Sequence, residues 1–295
     1  MSVCPDPSSS PSVATGPGAE AALELDRNVV FIGAGNMASA LIGGLISRGV
    51  PARQLAAVDP SAAQREQIRA RHGIRAEGQV QASLLKDAVI VLAVKPQQMR
   101  EAVQALAPLL GDQLLMSVAA GVRASDLSRW LSGHARIVRT MPNTPALVGL
   151  GATGLAALPG CLAHDRALAQ TLMGAVGCTV WVEDESMLDA VTALSGSGPA
   201  YVFRFIECLI QGGQQLGLSA QQARVLALQT VLGAATLAAT SDESAAVLRE
   251  RVTSKGGTTA AALAVFEENG WPALVARAMA AADHRSRELG DSFSG

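Results

Sequence analysis

Aromatic residues are scarce in this sequence, which has three Trp, one Tyr and five Phe among 295 residues. Proteins that bind single-stranded nucleic acid stack the bases on aromatic side chains, so this scarcity counts against that class. Neither charge is in large excess, because 23 Lys and Arg stand against 25 Asp and Glu, for a formal net charge of −2. A nucleic-acid partner, whose phosphates require a basic surface, is therefore not expected.

Cysteine and histidine are few and widely spaced. The cysteines form no CxxC motif and indicate no disulfide framework; they are Cys4, Cys161, Cys178 and Cys208. The histidines are equally dispersed, at His72, His134, His164 and His284. This spacing supports no metal site, so we expect the protein to work without a metal.

No segment has the pattern of a secretory signal or a clear membrane span. Residues 1–26 are rich in Ser, Pro, Ala and Gly, without a basic start or an apolar stretch, and we interpret them as a disordered extension. Two apolar stretches, 29–46 and 225–239, have the composition of a span, but the first contains a glycine-rich turn and the second is short. We therefore expect a soluble, cytoplasmic protein with no membrane partner.

Strand and helix patterns alternate from Asn28 to about Val182. Apolar runs such as NVVFIG and AVIVLAV are typical of strands that are covered on both faces. The βαβα order predicts a doubly wound parallel sheet, and hence a Rossmann-type dinucleotide-binding domain over residues 27–185.

The strand pattern ends near Glu185. Helices are predicted at 186–194, 200–216, 219–240, 243–253, 259–268 and 271–290, so residues 186–295 should form an all-helical substrate and dimerisation domain. Helices this rich in Ala and Gly pack closely and suit an intertwined dimer core; a monomeric bundle is the open alternative.

A glycine-rich motif follows the first strand and begins a helix. Its residues Gly33, Ala34, Gly35, Asn36, Met37 and Ala38 fit the pattern GxGxxA. In this context the first glycine allows a tight turn, the second lets backbone N–H groups reach a pyrophosphate, and the alanine lets the helix pack closely on the strand. The alternative is a glycine turn that serves packing alone.

Asp59 ends the second strand, where the dinucleotide motif places an acid that binds ribose. A carboxylate there favours a 2′-hydroxyl and repels a 2′-phosphate, whereas Ser61 and Arg65 just beyond it could reach a phosphate. The choice between NADH and NADPH is therefore open. Asp59 could also be only a helix cap.

Two further loops follow strands at the sheet edge where ligands bind. In AVKP, the backbone of Ala93, Val94 and Lys95 is expected to line the nicotinamide, and Pro96 stops the strand. In RTMPNTP, two prolines stiffen a loop whose Asn143 and Thr144 could hold an amide, and we expect Asn143 to bind the cofactor. Either loop could instead be a plain connection.

The helical region contains two motifs that suit a small anion. SGSGPAY reads as a helix start in which Ser197 or Gly198 caps the helix and flexible glycines expose N–H donors. In SKGGTT, donors around Gly256 and Gly257 could bind a carboxylate, and Ser254, Thr258 and Thr259 supply hydroxyls. The competing interpretations are a mere cap and a tight turn between helices.

The sequence shows no Ser–His–Asp set, no paired-carboxylate cleft and no metal cluster. Hydride transfer to an iminium carbon requires only orientation and one proton source, because the cofactor supplies the difficult chemistry. A neutral hydroxyl beside the imine nitrogen would suffice.

Together these motifs resemble those of the pyrroline-5-carboxylate reductase family. The resemblance is carried by FIGAGNMASAL (31–41), LAVKP (92–96), RTMPNTP (139–145), DAVTALSGSGPAYVF (189–203) and VTSKGGTTAAAL (252–263), and it covers nearly everything from Asn28 to about Arg287.

The resemblance implies reduction of 1-pyrroline-5-carboxylate to L-proline, the last step of proline biosynthesis, with NADPH or alternatively NADH. It implies a helical domain that interlocks two chains, and dimers that often assemble further. In the family motif GGxT the threonine matches Thr259, whose hydroxyl then faces the ring nitrogen as the catalytic group. The serine matching Ser254 and the nearby amides then hold the carboxylate.

Two alternatives remain beside this hypothesis. A 3-hydroxyacid dehydrogenase on a similar scaffold typically has a lysine on the first helices of its helical domain, and this chain has none between residues 187 and 254. A nucleotide-binding protein without activity would not need the motifs SGSGPAY and GGTT.

Overall fold

A computed structural model of the chain describes residues 23–293. The extension predicted over residues 1–26 therefore lies mostly outside the described residues. The described residues divide into two compact units, one of residues 202–273 and a larger one of residues 23–201 and 274–293.

The larger unit contains one eight-stranded sheet. Its strands are β1 (Asn28–Ile32), β2 (Leu55–Val58), β3 (Arg75–Glu77), β4 (Ala88–Leu92), β5 (Leu115–Ser117), β6 (Ile137–Met141), β7 (Gly151–Ala157) and β8 (Gly177–Trp181). They lie in the order β3-β2-β1-β4-β5-β6-β7-β8, and every adjacent pair is parallel except β6 and β7. The order reverses between β1 and β4, and ligands of such sheets bind beyond the carboxyl ends of the strands at this reversal.

Helices cover both faces of the sheet. They are α1 (Asn36–Ser47), α2 (Ala62–His72), α3 (Ala82–Leu85), α4 (Met99–Leu106), α5 (Ala124–Trp130) and α6 (Ala163–Gly174). Alternate residues of β1 enter different cores: Val29 and Phe31 pack with α1, whereas Val30 and Ile32 pack in the cluster that contains α4 and α5. Every residue of β4 is buried. The predicted doubly wound fold class is thus confirmed.

Four strands and helices of this unit were not predicted from the sequence: β3, β7, α3 and α6. β3 is a short, polar edge strand, and β7 is made largely of Gly and Ala, which have little strand propensity. Gly154 in β7 has a packing reason, because a Cβ there would lie 2.8 Å from a methyl group of Val191. The antiparallel pairing of β7 also corrects the expectation of an entirely parallel sheet.

The chain beyond residue 186 is helical, as predicted. Its helices are α7 (Met187–Val191), α8 (Gly198–Gln215), α9 (Ala220–Thr240), α10 (Ala245–Arg251), α11 (Thr258–Glu268) and α12 (Trp271–Phe293). The expected break at SGSGP is shorter than predicted, because a π-helical turn, Thr192–Gly196, continues the helix from α7, and Ser197 alone separates this turn from α8.

The smaller unit, residues 202–273, has almost no core of its own. Among its residues, only Ala223 and Ala227 are buried hydrophobics. Trp271 packs with its ring centroid 6.0 Å from that of Phe205 and 5.1 Å from that of Phe266. Within the described part of the chain, α9 alone has the length and apolar composition of a membrane span, a test that core helices of soluble proteins also pass.

Candidate active site

The glycine loop between β1 and α1 has the shape that GxGxxA predicts. Gly33 has a φ of +103°, and a Cβ on it would lie 2.6 Å from the carbonyl oxygen of Ala93, so glycine is required. A Cβ on Gly35, the residue before α1, would meet nothing within 4 Å. The N-terminus of α1 therefore opens onto free space, where its N–H groups and dipole favour an anion such as pyrophosphate.

The rest of the motif begins α1. Asn36 and Met37 form the first turn, and Ala38 is fully buried against the sheet, as its place in the motif predicts. The next residue, Ser39, has its Oγ 2.8 Å from Nε2 of His72 at the end of α2. Burial, reinforced by the charge of Arg71, lowers the pKa of His72 and favours a neutral ring behind the glycine loop.

Asp59 links the end of β2 to the glycine loop. Its Oδ2 accepts a hydrogen bond from the N–H of Ala34 at 2.9 Å, and its Oδ1 accepts one from the N–H of Ser61 at 2.9 Å. The cap of α2 is Ser61, whose hydroxyl accepts from the N–H of Gln64. The alternative that Asp59 caps this helix is therefore wrong, and its carboxylate lies beside the loop, where ribose hydroxyls bind in this fold.

Arg65 lies next to this carboxylate. Its Nη1 donates to the carbonyl oxygens of Asp59 and Pro60, at 2.8 Å each. A guanidinium has five N–H donors on three nitrogens, and these two bonds occupy one nitrogen. An anion and a cation thus stand side by side at the end of β2.

The loop after β4 meets the glycine loop directly. The N–H of Ala93 donates to the carbonyl of Ile32 at 2.7 Å, and Val94 Cγ1 would lie 3.1 Å from a Cβ on Gly33. Lys95 is exposed, and Pro96 begins a 3₁₀ turn, Pro96–Gln98, that leads into α4. The structure therefore brings the ends of β1, β2 and β4 together at the reversal of the sheet.

Asn143 follows β6 and is buried, with 8% of its surface exposed. Its Oδ1 accepts from the N–H of Ala152 at 2.9 Å, and its Nδ2 donates to the carbonyl oxygen of Ser195 in the π-helical turn at 3.0 Å. The expected amide-binding side chain is thus bonded to two main-chain groups of the protein.

Ser197 and Gly198 lie where the π-helical turn meets α8. Ser197 has helical backbone angles, and its N–H donates to the carbonyl oxygen of Thr192 at 2.8 Å. The predicted capping role of Ser197 is therefore wrong, because the chain enters α8 already helical.

A cavity of about 490 Å³ adjoins this turn within the larger unit. Its walls come from the loop after β5, the π-helical turn, the start of α8 and the far end of α12; they are Ala120, Gly121, Thr192, Ser197, Ala200, Tyr201, Ala278, Ala282, Arg285, Ser286 and Leu289. Only Ser197 among these was expected. Ala120 and Gly121 follow β5 at the ligand-binding edge of the sheet, so the reasoning used for AVKP could have found them. The α12 residues carry no such signal.

The C-terminal part of α12 is joined to the rest of the larger unit by a hydrogen bond and by a close packing contact. Ser286 Oγ donates to Oδ1 of Asp189 at 2.6 Å, and both side chains are buried. Gly121 has a φ of +77°, and a Cβ on it would lie 3.2 Å from Cβ of Leu289, so the loop after β5 touches the helix closely. These contacts hold two walls of the cavity together.

The motif SKGGTT forms the turn between α10 and α11 in the smaller unit. Gly256 has a φ of +71°, and a Cβ on Gly257 would run into Oγ of Ser254. The local geometry of the turn therefore favours glycine at both positions. The same geometry places the Ser254 hydroxyl at the N-terminus of α11, where Thr258 and Thr259 form the first turn and helix amides have no partner within the helix.

No cluster of three or more His, Cys, Asp or Glu side chains suited to a metal occurs among residues 23–293.

Comparisons with known proteins match both halves of the chain. Residues 185–289 match the family model described as pyrroline-5-carboxylate reductase dimerisation. Residues 28–121 match the model described as NADP oxidoreductase, coenzyme F420-dependent.

Full-length relatives support the same assignment. A pyrroline-5-carboxylate reductase from Pseudomonas aeruginosa is 49% identical over 267 residues, which cover 90% of this chain and 97% of the relative. The Arabidopsis thaliana reductase is 41% identical and covers 90% and 96% of the two chains.

Solved structures of the family have the same fold. The Coxiella burnetii pyrroline-5-carboxylate reductase matches with a TM-score of 0.85 and 39% identity, over 89% of this chain and 98% of that one. A Plasmodium falciparum pyrroline carboxylate reductase with NADP bound matches with a TM-score of 0.78 and 30% identity, over 90% of this chain and 98% of that one.

Proposed function

The chain belongs to the pyrroline-5-carboxylate reductase family, and we propose that its crevice between β1 and β4 binds the dinucleotide and that its turn between α10 and α11 binds the substrate. The protein is an NAD(P)-dependent oxidoreductase that reduces pyrroline-5-carboxylate to proline. The observation that carries this conclusion is 49% identity to such a reductase over 90% of the chain.

The crevice holds the dinucleotide. The free space before α1 and the glycine loop suit a pyrophosphate, and the backbone of Ala93, Val94 and Lys95 lines the nicotinamide. We expect NADPH as the cofactor, with NADH as the alternative. Bound NADP in the Plasmodium relative and the neighbouring Arg65 favour NADPH, whereas Asp59 favours NADH.

The turn between α10 and α11 binds the substrate. Its carboxylate is an anion that suits the N-terminus of α11, with the Ser254 hydroxyl and the amides of Gly256 and Thr258 as donors. The N–H of Gly257 already donates to the carbonyl oxygen of Ser254 at 3.0 Å, so Gly257 contributes the close backbone approach rather than a donor. Ser197, in the cavity wall, and Gly198, the first residue of α8, are proposed as further substrate-binding residues.

Catalysis then requires a hydride for the carbon of the C=N bond and a proton for its nitrogen. When bound, the reduced nicotinamide supplies the hydride that the ring carbon accepts. The hydroxyl of Thr259 donates a hydrogen bond to the ring nitrogen and delivers the proton that completes the amine, while a solvent water returns a proton to the hydroxyl. No charged acid or base is required, because the side chains mainly bind and orient the reactants.

The protein acts as a homodimer or a higher homo-oligomer, with no nucleic-acid or membrane partner, in the cytoplasm. The name of the matching family model and the exposed apolar surface of residues 202–273 support self-association. We also propose a division into a dinucleotide-binding domain, residues 27–185, and a helical domain, residues 186–295, because the dimerisation family model matches residues 185–289.

A direct assay tests the function. The purified protein should oxidise NADPH or NADH only when pyrroline-5-carboxylate is added, with proline as the product. Absence of turnover with both dinucleotides over a titration of the cyclic imine would reject the proposed active site.

A further inference from the structure

The π-helical turn Thr192–Gly196 forms part of the cavity wall. Its residue Thr192 and the adjacent Ser197 both face the cavity. A π-turn is rare within a helix and occurs frequently at functional sites. The shape of this wall depends on where the turn is held relative to the sheet.

Local hydrogen bonds shape the turn but do not attach it to the sheet. The hydroxyl of Thr192 donates to the carbonyl of Leu188 at 2.7 Å, and that of Ser195 donates to the carbonyl of Val191 at 3.0 Å. Both bonds stay within the same helical segment.

Asn143 supplies a hydrogen bond that attaches the turn to the sheet, beside the packing of Val191 on Gly154 and of Met141 on Gly196. Its Nδ2 donates to the carbonyl of Ser195 at 3.0 Å, while the N–H of Ala152 donates to its Oδ1 at 2.9 Å. These partners fix the amide orientation, because a flipped amide would place NH₂ against N–H and oxygen against oxygen. One side chain thus joins the end of β6, the start of β7 and the π-helical turn.

We infer that Asn143 is a positioning residue for the reductase reaction, which holds the π-helical turn against the sheet and so sets the cavity wall formed by Thr192 and Ser197. The inference rests on the proposed function and differs from the expectation that this amide binds the cofactor. Both polar atoms of Asn143 already serve main-chain groups, and only 8% of the residue is exposed.

Asn143→Asp tests the inference with a substitution of the same shape. The carboxylate can still accept from Ala152 but has no donor for the carbonyl of Ser195. We expect kcat/KM for pyrroline-5-carboxylate to fall about 10- to 100-fold, as misplaced groups typically cause. The Kd of the dinucleotide, measured by fluorescence titration, should stay close to the wild-type value. A raised dinucleotide Kd with kcat retained at saturation would instead identify a cofactor ligand and overturn the inference.

Asn269→Asp is the matched control, because Asn269 Nδ2 also donates to a main-chain carbonyl, that of Val265, at 2.8 Å on the exposed end of α11. Asn269→Asp should keep the wild-type kcat/KM for pyrroline-5-carboxylate and the wild-type Kd of the dinucleotide. Wild-type kinetics in Asn143→Asp as well would overturn the inference.

Hydrogen exchange provides a readout that needs no turnover. The amide of Ser197 is bonded to the carbonyl of Thr192 in the turn, and its exchange should accelerate in Asn143→Asp and in the smaller, uncharged Asn143→Ser, which serves if the aspartate variant does not fold. Unchanged exchange there would exclude the attachment. A wild-type protein without turnover would reject the proposed function but leave this measurement decisive for the attachment.

Discussion

At the scale of single residues, we expect Asp59 to influence the choice between NADPH and NADH. Its carboxylate accepts hydrogen bonds from the N–H groups of Ala34 and Ser61 beside the glycine loop. The negative charge of this carboxylate would repel a 2′-phosphate bound there. Asp59→Ser should raise the ratio of kcat/KM with NADPH to kcat/KM with NADH by about tenfold, the effect of about 1.4 kcal/mol of relieved repulsion. Loss of the loop contact affects both dinucleotides, so the ratio isolates the charge.

Asp26→Ser is the control for this ratio, because Asp26 is exposed and lies before β1, at the opposite end of the strand from the glycine loop. It should leave the ratio unchanged. An equal ratio in Asp59→Ser and wild type would show that Arg65 or another group decides the preference.

Thr259 is the second residue whose role a substitution can isolate. Thr259→Val keeps the shape but removes the hydroxyl, so kcat should fall about 100-fold, as loss of one positioned donor typically does. Stopped-flow and steady-state assays should show an unaltered dinucleotide Kd. Thr240→Val, at the end of α9, removes a hydroxyl that bonds only to the carbonyl of Thr236. Equal kcat values for the two variants would remove the proposed role of Thr259.

At the scale of elements, a buried ion pair joins the start of β6 to the start of α6. Arg136 donates to both oxygens of Asp165, at 3.0 and 2.6 Å, and the N–H of Leu162 donates to the same carboxylate at 2.9 Å. Asp165→Asn should lower the free energy of unfolding by about 3–5 kcal/mol at neutral pH, because it leaves a largely buried guanidinium without its buried carboxylate partner.

The pH dependence of this contribution has a defined sign. Burial would raise the pKa of Asp165, but the hydrogen bonds from Arg136 and Leu162 outweigh it and hold the pKa below its usual value. The contribution is complete above the ordinary aspartate pKa of about 3.9 and is lost as the pH falls through the lower folded value. Denaturant unfolding should therefore show the difference between wild type and Asp165→Asn shrinking below about pH 4.

Asp112→Asn is the matched control, because Asp112 pairs with the same Arg136 at 3.4 Å but has 98% of its side chain exposed. It should change the free energy of unfolding by less than about 1 kcal/mol. A similar loss in both variants would mean that burial does not distinguish the two pairs.

Elements were predictable from the sequence where local pattern and packing agree. The strands β1 and β4 are continuous apolar runs, and Gly33 lies where a dinucleotide motif requires it. β7 was not predictable, because its glycines are required by residues distant in the chain. A Cβ on Gly154 would meet Val191, 37 positions beyond it, and a Cβ on Gly151 would meet the carbonyl oxygen of Val176. The π-helical turn was not predictable for the same reason: glycine and serine indicate a cap locally, whereas the carbonyl of Ser195 accepts a hydrogen bond from Asn143, 52 positions earlier in the chain.

At the scale of the whole molecule, the exposed apolar surface of residues 202–273 is the feature that requires a partner. A chain segment of this length normally buries most of its hydrophobic side chains, yet its large ones are exposed: Phe203, Leu216, Leu226, Leu232, Leu237, Val265 and others. An apolar surface of this extent is typical of an obligate interface. We therefore expect α9 to be buried in a homodimer, as the intertwined helices of the sequence interpretation require.

Two matched substitutions separate this interface from ordinary surface. Leu232 in α9 is 57% exposed and Leu162 before α6 is 53% exposed, so Leu232→Lys and Leu162→Lys are alike by exposure in the single chain. Surface substitutions typically change stability by no more than about 0.5 kcal/mol. Leu232→Lys should nevertheless shift the mass in sedimentation towards monomer and reduce turnover, because a lysine charge would enter a dry interface, whereas Leu162→Lys should keep both. A dimer that persists in Leu232→Lys would place the self-association surface elsewhere on the chain.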